Sequence, residues 1–475
     1  MFKTRDLWQS FYYSCWVIHK RKILIGIVTL LVAIVLAIRM IPPALDAARD
    51  GRELDQFLNQ GNEALLYDFN YLMHTLEENW PFFNLSKSAN GVDIHEVADN
   101  VRRILTDPAT EDIGTHEFID FLRQHFFWEI GRIGHLSPIW QYQNYFEELN
   151  EYEWISRTMR FTPTNVAMFQ ELHARPQTVM FYETFRDAGG STLVHYDTQR
   201  IEEARNLPVY ETAILEEGSI AYLSVSRMIS MWYDFRQGGR NMGQYEALLY
   251  EFHGQIEGFD HLIIDLRGNL GGVHQHFNVF VVAPLLREGI NFPAYVFYKG
   301  GEYSRMAREN HDLGMWGSTS PFVQHAANFA EPLPYLDTEI DLPYVFESAY
   351  MIAAGYMFVD WYASAREEVL FDGRVWVLTD ENTGSAAESA VAMLKLNNLA
   401  TVVGETTLGI LGTMEDPTRM LMSLPNTGIL ISFDVAYFTD TLGRPLQGYG
   451  ISPHYFNRPR LDALETVLAM IEELN

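Results

Sequence analysis

Three short stretches of this chain hold residue types that could cleave a bond by nucleophilic attack. Ser385 stands where the apolar, β-branched run Val375–Thr379 gives way to Ala386, Ala387, Ala390, Val391 and Leu394 at helical spacing, so a strand is expected to hand over to a helix at the serine. A helix start presents backbone N–H groups that lack intrahelical acceptors, and these can hold the negative oxygen of a tetrahedral intermediate. Serine is also a preferred N-cap, and capping is the plainer account of these residues taken alone. The second stretch, Leu262-Ile-Ile-Asp-Leu-Arg-Gly-Asn-Leu-Gly-Gly272, reads as a buried strand and a glycine-rich loop. Gly271 and Gly272 would let that loop approach a substrate carbonyl and aim an N–H at it, complementing the N–H of Ala386; a tight turn explains the pair as well. Asp265, Arg267 and Asn269 are expected to hold the loop rather than react. The third stretch is Ile133-Gly-His-Leu-Ser-Pro138, where His135, a histidine beside a glycine in a loop, reads on its own as a surface or hydrogen-bonded residue.

Other groups nearby are weaker candidates. His274 and His276 form an H-x-H pair, but no acidic or histidine partner accompanies them at recognisable spacing, so neither a metal nor any other cofactor is expected. His274 is a second-choice base because its loop should border the cleft. Glu388, one turn after Ser385, is read as a surface or capping residue, with a place lining the site as the alternative.

Taken together, these stretches resemble the paired signatures of the tail-specific, C-terminal-processing and tricorn-like serine peptidases. Asp265, Arg267, Asn269, Gly271 and Gly272 match that family's Asp-x-Arg-x-Asn-x-Gly-Gly, and Ser385, Ala386 and Glu388 match its Ser-Ala-x-Glu. Val402-Val-Gly-Glu-Thr-Thr-Leu-Gly409 looks like its Gly-Glu-x-Thr-x-Gly turn, and Gly448-Tyr-Gly-Ile-Ser-Pro453 like its closing Gly-x-Gly-x-x-Pro. The resemblance implies an α/β core of the crotonase-like or ClpP-like kind, Ser385 as nucleophile, and an oxyanion hole from Ala386 with Gly271 or Gly272. One branch of the family uses a lysine just after the Gly-Glu-x-Thr-x-Gly turn. Here Ile410, Leu411 and Gly412 follow Gly409, and Lys395 stands ten residues along the helix from Ser385, roughly 15 Å away. In the tricorn-like branch a histidine from the N-terminal region is the base, which implies His135, although Leu136 replaces the usual Thr or Ser. That branch also carries a glutamate beside the closing motif. Gln447 stands there instead, and His454 where an aspartate commonly follows the proline; a glutamine can orient a partner by hydrogen bonding but supplies no charge.

The surrounding chain must position these residues. Its 475 residues carry a formal charge of −28, which argues against nucleic-acid binding, and its single cysteine, Cys15, excludes an internal disulfide framework. Residues 23–42 are apolar for about the 20 positions a bilayer needs. Lys3, Arg5, Lys20, Arg21 and Lys22 precede them, so residues 1–22 are expected in the cytoplasm and the rest of a single-pass protein outside it, at the cell membrane. Residues 43–60 read as a stalk. Residues 61–139 read as a helical domain with apolar stripes at Leu65, Leu66, Phe69, Leu72, Met73 and Leu76, at Ile94, Val97, Val101, Ile104 and Leu105, and at Phe118, Phe121, Leu122 and Phe126. Residues 140–208 read as an insertion or linker, β-rich around Thr192–Tyr196, without the carboxylate-binding loop of a typical PDZ domain. From 209 to 475 strand and helix alternate, which predicts a largely parallel sheet with crossover helices, interrupted by an insertion at about 299–360.

The expected activity is therefore hydrolysis of a peptide or protein substrate by a membrane-anchored serine peptidase; the oligomeric state stays open. Two other readings share the residues: a catalytically inactive relative that uses the cleft to bind peptides or apolar ligands, and a glycan hydrolase working through two carboxylates.

Overall fold

The computed structural model describes residues 51–131, 133–139, 168, 170–172, 174–187, 207–229, 242–286, 290–312, 323–324, 333–337, 340–352, 371–411 and 419–474. The apolar stretch 23–42, Cys15 and the alternation Thr192–Tyr196 lie outside the described residues, among which no helix is long and apolar enough to cross a membrane.

Helix α1 (Gly51–Leu58) is followed by α2 (Asn62–Asn79), α3 (Ile94–Thr106) and α4 (Thr115–Leu122). Most of the predicted stripe residues form the buried faces of the last three, with Leu65, Phe69, Leu72, Met73 and Leu76 on α2, Ile94, Val101 and Leu105 on α3, and Phe118 and Leu122 on α4, while Leu66, Val97, Ile104 and Phe121 are only half-buried. The Asp93 carboxylate caps α3 by accepting from His95 N at 3.1 Å, and Pro108 ends it by keeping Asp107 extended. Beyond α4 the helix widens into a π turn at Arg123–Phe127 that carries Phe126 and Phe127 into the core. The end of the stretch read as a stalk is seated on this body. Phe57 of α1 is buried, its carbonyl accepts from the Thr115 hydroxyl, and Gln60 Nε2 donates to Asn426 O at 3.0 Å.

The remaining α-helices of eight residues or more among the described residues are α5 (Pro176–Asp187), α6 (Met242–Gln255), α7 (Glu302–Asp312), α8 (Ala386–Leu396) and α9 (Ala463–Glu472). Within 140–208, where a β-rich insertion is expected, α5 is the longest described element. The strands are β1 (Ser137–Pro138), β2 (Tyr210–Glu216), β3 (Ile220–Val225), β4 (His261–Asp265), β5 (Ile290–Tyr298), β6 (Val323–Gln324), β7 (Tyr344–Ile352), β8 (Arg374–Thr379), β9 (Thr401–Gly404), β10 (Arg419–Ser423), β11 (Leu430–Asp434), β12 (Ala436–Thr439) and β13 (Tyr455–Phe456).

Six strands form one sheet in the order β13-β9-β8-β4-β3-β2, parallel throughout except for the antiparallel edge pair β2–β3. Its central strands are apolar on both faces because both are covered. Ile263, Trp376, Leu378 and Val403 pack on Val467 and Ile471 of α9, while their alternating neighbours Leu262, Ile264, Val375 and Val377 join the main core. Each fully covered Leu, Ile or Val contributes about 1.5–3 kcal/mol, so this period-two pattern holds the strand ends beneath the site in register.

Two antiparallel sheets stand beside it, β1-β11-β10 and β12-β5-β7-β6. The second joins β6 and β7, which fall within the expected insertion at about 299–360, to β5, which ends just before it; β7 pairs with β5 along its length from Tyr298↔Tyr344 to Ile290↔Ile352.

Candidate active site

Strands β4 and β8 are parallel neighbours, so the loops leaving their carboxyl ends lie side by side, where open α/β sheets present reactive groups. The two loops are tied together. Asp380 Oδ1 accepts from Gly268 N at 2.9 Å, Thr383 Oγ1 donates to Leu266 O at 2.9 Å, and Gly384 N donates to Asn269 O at 2.9 Å. Asn269 is fully buried and, as expected, holds its loop: Nδ2 donates to Val225 O and Oδ1 accepts from Gly271 N, both at 2.9 Å. Asp265 and Arg267 are likewise engaged with each other, with Tyr222 and with Asp462.

Ser385 is the N-cap of α8 with φ 52° and ψ −121°, a conformation an L-residue avoids and one that costs on the order of 1–3 kcal/mol. Glu388 holds it there. The carboxylate is fully buried, with Oε2 accepting from Ser385 N at 3.0 Å and Ile410 N at 2.8 Å, and Oε1 from Thr407 Oγ1 and Gly409 N, both at 2.6 Å. Burial pushes its pKa up, and these four donors oppose that shift. Capping is therefore its position, in the interior and not at the surface. In Glu388→Gln the amide N–H₂ must replace one oxygen, at least cost the one facing Gly409 N, and orphaning that backbone donor costs about 1–3 kcal/mol, which urea unfolding should register as a lower midpoint.

His135 arrives from the helical side. Gly134 and His135, at φ 57° and 45°, are the central residues of a turn closed by Leu136 N donating to Ile133 O at 3.3 Å. Two successive positive φ angles are the mark of a type I′ turn, which Gly takes freely and His does not. The next residues form β1, which pairs antiparallel with β11, and β11 ends in Asp434. Asp434 N donates to Gly134 O at 2.8 Å, and the Asp434 carboxylate meets the imidazole: His135 Nδ1 lies 2.6 Å from Asp434 Oδ2. His135 Nε2 stands 3.5 Å from Ser385 Oγ. The Asp434 side chain is 4 % exposed and that of His135 17 %, so solvent reaches the imidazole but scarcely the carboxylate behind it. With Nδ1–H donated to Asp434, the lone pair of Nε2 faces the serine hydroxyl.

Gly271 and Gly272 differ. A Cβ on Gly271 would stand 2.7 Å from Ala386 N, Gly384 O and Ser385 Cβ, so only glycine brings this loop against the serine. The Gly271 N–H, however, is taken by Asn269 Oδ1, which corrects the expectation that it faces the substrate. Among the described residues no acceptor takes the N–H of Gly272 or of Ala386. Gln447 is buried with Oε1 lacking a partner among the described residues; the carboxylate beside His135 comes from β11 instead. Burial pushes the imidazole of His274 down to about 4 and that of His276 to about 3, and the latter is held by Tyr210 OH at 2.8 Å on Nδ1. Lys395 Nζ donates to Ser452 O, away from the serine, and His454 Nδ1 accepts from Val402 N at 2.9 Å. Among the described residues no group of three or more His, Cys, Asp or Glu could hold a metal ion.

Asp434 is the residue that sequence reasoning missed. Its one signal is a carboxylate inside the apolar run Ile429–Phe438, where an unpaired charge is costly and a partner is expected.

A strained serine at a helix start, an imidazole backed by a carboxylate, and free amides at the carboxyl ends of parallel strands together make the apparatus of a serine hydrolase. Residues 219–456 match the model of peptidase family S41; the chain belongs to that family and is a serine-type peptidase. Solved structures that are similar include a serine-to-alanine mutant of CPAF, at 13% identity over 83% of this chain and 93% of that one with TM-score 0.49. A lipoprotein from Streptococcus agalactiae matches at 14% identity over 58% of this chain and 73% of that one with TM-score 0.35. The photosystem II D1 C-terminal processing protease matches at 15% identity over 53% and 48% with TM-score 0.29. No curated protein matches the chain.

Proposed function

We propose that this protein is a membrane-anchored, extracytoplasmic peptidase in which Ser385 is the nucleophile, His135 the general base and Asp434 the residue that orients and charges the base. The observation that carries the reading is the unbroken line from Ser385 Oγ through His135 to Asp434 Oδ2, at 3.5 and 2.6 Å. Such contacts are often long before substrate binds and shorten in the Michaelis complex. Ser385 Oγ attacks the peptide carbonyl and passes its proton to Nε2. The developing oxyanion receives the N–H groups of Ala386 and Gly272, and Asp434 stabilises the imidazolium. Nε2–H then protonates the leaving amine, and water, activated by the same nitrogen, hydrolyses the ester. The apolar stretch 23–42, with lysines and arginines before it, supports an anchor whose catalytic side faces away from the cytoplasm.

The test is labelling by a fluorophosphonate in cells expressing the full chain. A labelled band is expected in the carbonate-washed membrane pellet, and Ser385→Ala should remove it. An unlabelled wild type would sink the catalytic reading; label only in the soluble fraction would sink the anchor.

A further inference from the structure

The strain in the His135 turn has a specific support. Gly134 is pressed between two rings: a Cβ at this position would lie 2.5 Å from Trp80 Nε1 and 2.5 Å from Phe82 Cδ2. Trp80 and Phe82 are fully buried and meet edge to face, their ring centroids 5.2 Å apart. Trp80 Nε1 also donates to Gly134 O at 3.5 Å, the same carbonyl that receives Asp434 N. One peptide oxygen thus gathers the indole, the backbone of the acid's strand and the turn that bears the base.

Trp80 is itself held on both sides. It caps α2, its N–H donating to Leu76 O at 2.8 Å. Its neighbour Asn79 accepts from Ser304 N through Oδ1 at 3.1 Å and from Ser304 Oγ through its carbonyl at 3.2 Å, which ties the end of α2 to α7. The indole therefore has little freedom to follow the turn if the turn relaxes. Left to itself, a turn with histidine at positive φ would drift toward a commoner conformation, swinging the imidazole off the line between Asp434 and Ser385.

We infer that Trp80 is a positioning residue for His135: its buried indole lies against the Gly134–His135 turn and fixes the orientation in which Nδ1 meets Asp434 while Nε2 faces Ser385. The inference rests on the reading of His135 as base. Trp80→Phe keeps a ring and removes the N–H and part of the surface that contacts Gly134. The measurement is the concentration dependence of fluorophosphonate labelling on the full chain. Trp80→Phe should lower the maximal labelling rate about tenfold or more, because small displacements of a reacting group carry large rate losses. The half-saturating concentration should stay unchanged. In a His135→Ala background the same substitution should lower the residual rate no further, whereas general loosening of the core would lower both. Phe83→Leu, which alters another ring that meets Trp80 edge to face at 5.3 Å, should leave the maximal rate unchanged. If Trp80→Phe does not fold, Phe82→Leu is read in the same way. A maximal rate equal to wild type, or an equal further loss in the His135→Ala background, overturns the inference. Wild-type labelling by His135→Ala itself would instead remove the base on which it rests.

Discussion

His135→Ala should slow peptide hydrolysis about as much as Ser385→Ala, and the double variant should be no slower than either. The hydroxyl is useless without a group to take its proton, and the imidazole has nothing to activate without the hydroxyl, so the two act as one unit and their losses do not add. A fall on the order of 10⁴- to 10⁶-fold in kcat is expected for each single variant, with residual catalysis from substrate binding and from amides that both variants retain. The amides of Ala386 and Gly272 depend on neither side chain, since the loops that present them are fixed by Asn269, Thr383 and Asp380. The check is kcat and KM for the four proteins on a fluorogenic casein. Losses that multiply in the double variant would mean that the two residues act separately. A His135→Ala protein within about tenfold of wild type would put the base elsewhere, with His274 next in line.

How far the site could be read in advance followed from how local each part is. Ser385 and its helix start, and the glycines of the loop after β4, are sequence-local devices: a strand period of two, a break, and a helix period, all within a dozen residues. The three helical stripes are equally local, and the structure buries most of their residues. Asp434 is different. It reaches His135, 299 positions away in sequence, only because β1 and β11 pair, and nothing in either strand announces that partner. The second antiparallel sheet was illegible for the same reason: β5 and β7 are separated by a segment of glycine, methionine and aromatic residues that reads as irregular. Gln447 stands where the tricorn-like branch carries a glutamate beside the closing motif, yet chain proximity to a motif is a poor guide to which group points at an imidazole. The turn at Gly134–His135 carried a legible glycine but an illegible cause, since the rings that require it come from residues 80 and 82.

Asp434→Asn separates orientation from charge and bears most directly on the departure at position 447. The carboxylate can only accept, so it selects the tautomer with a proton on Nδ1 and leaves Nε2 free to take the serine's proton. It is also nearly sealed from solvent at 2.6 Å from the ring, where a charge stabilises the imidazolium far more than it would in water. Asparagine is nearly isosteric, so the β11 ladder and the bond from residue 434 N to Gly134 O should survive, and thermal unfolding should change little. The amide can present N–H₂ to Nδ1, however, which places the ring proton on Nε2, facing the hydroxyl it ought to deprotonate. A fall in kcat of about 10⁴-fold with KM nearly unchanged is expected, by analogy with triads in which the acid loses its charge. Gln447→Met removes an oxygen without a partner among the described residues at similar volume and should alter kcat by less than about fivefold. If the two variants exchange these effects, the orienting group is the glutamine, and the contact between Asp434 and His135 is structural.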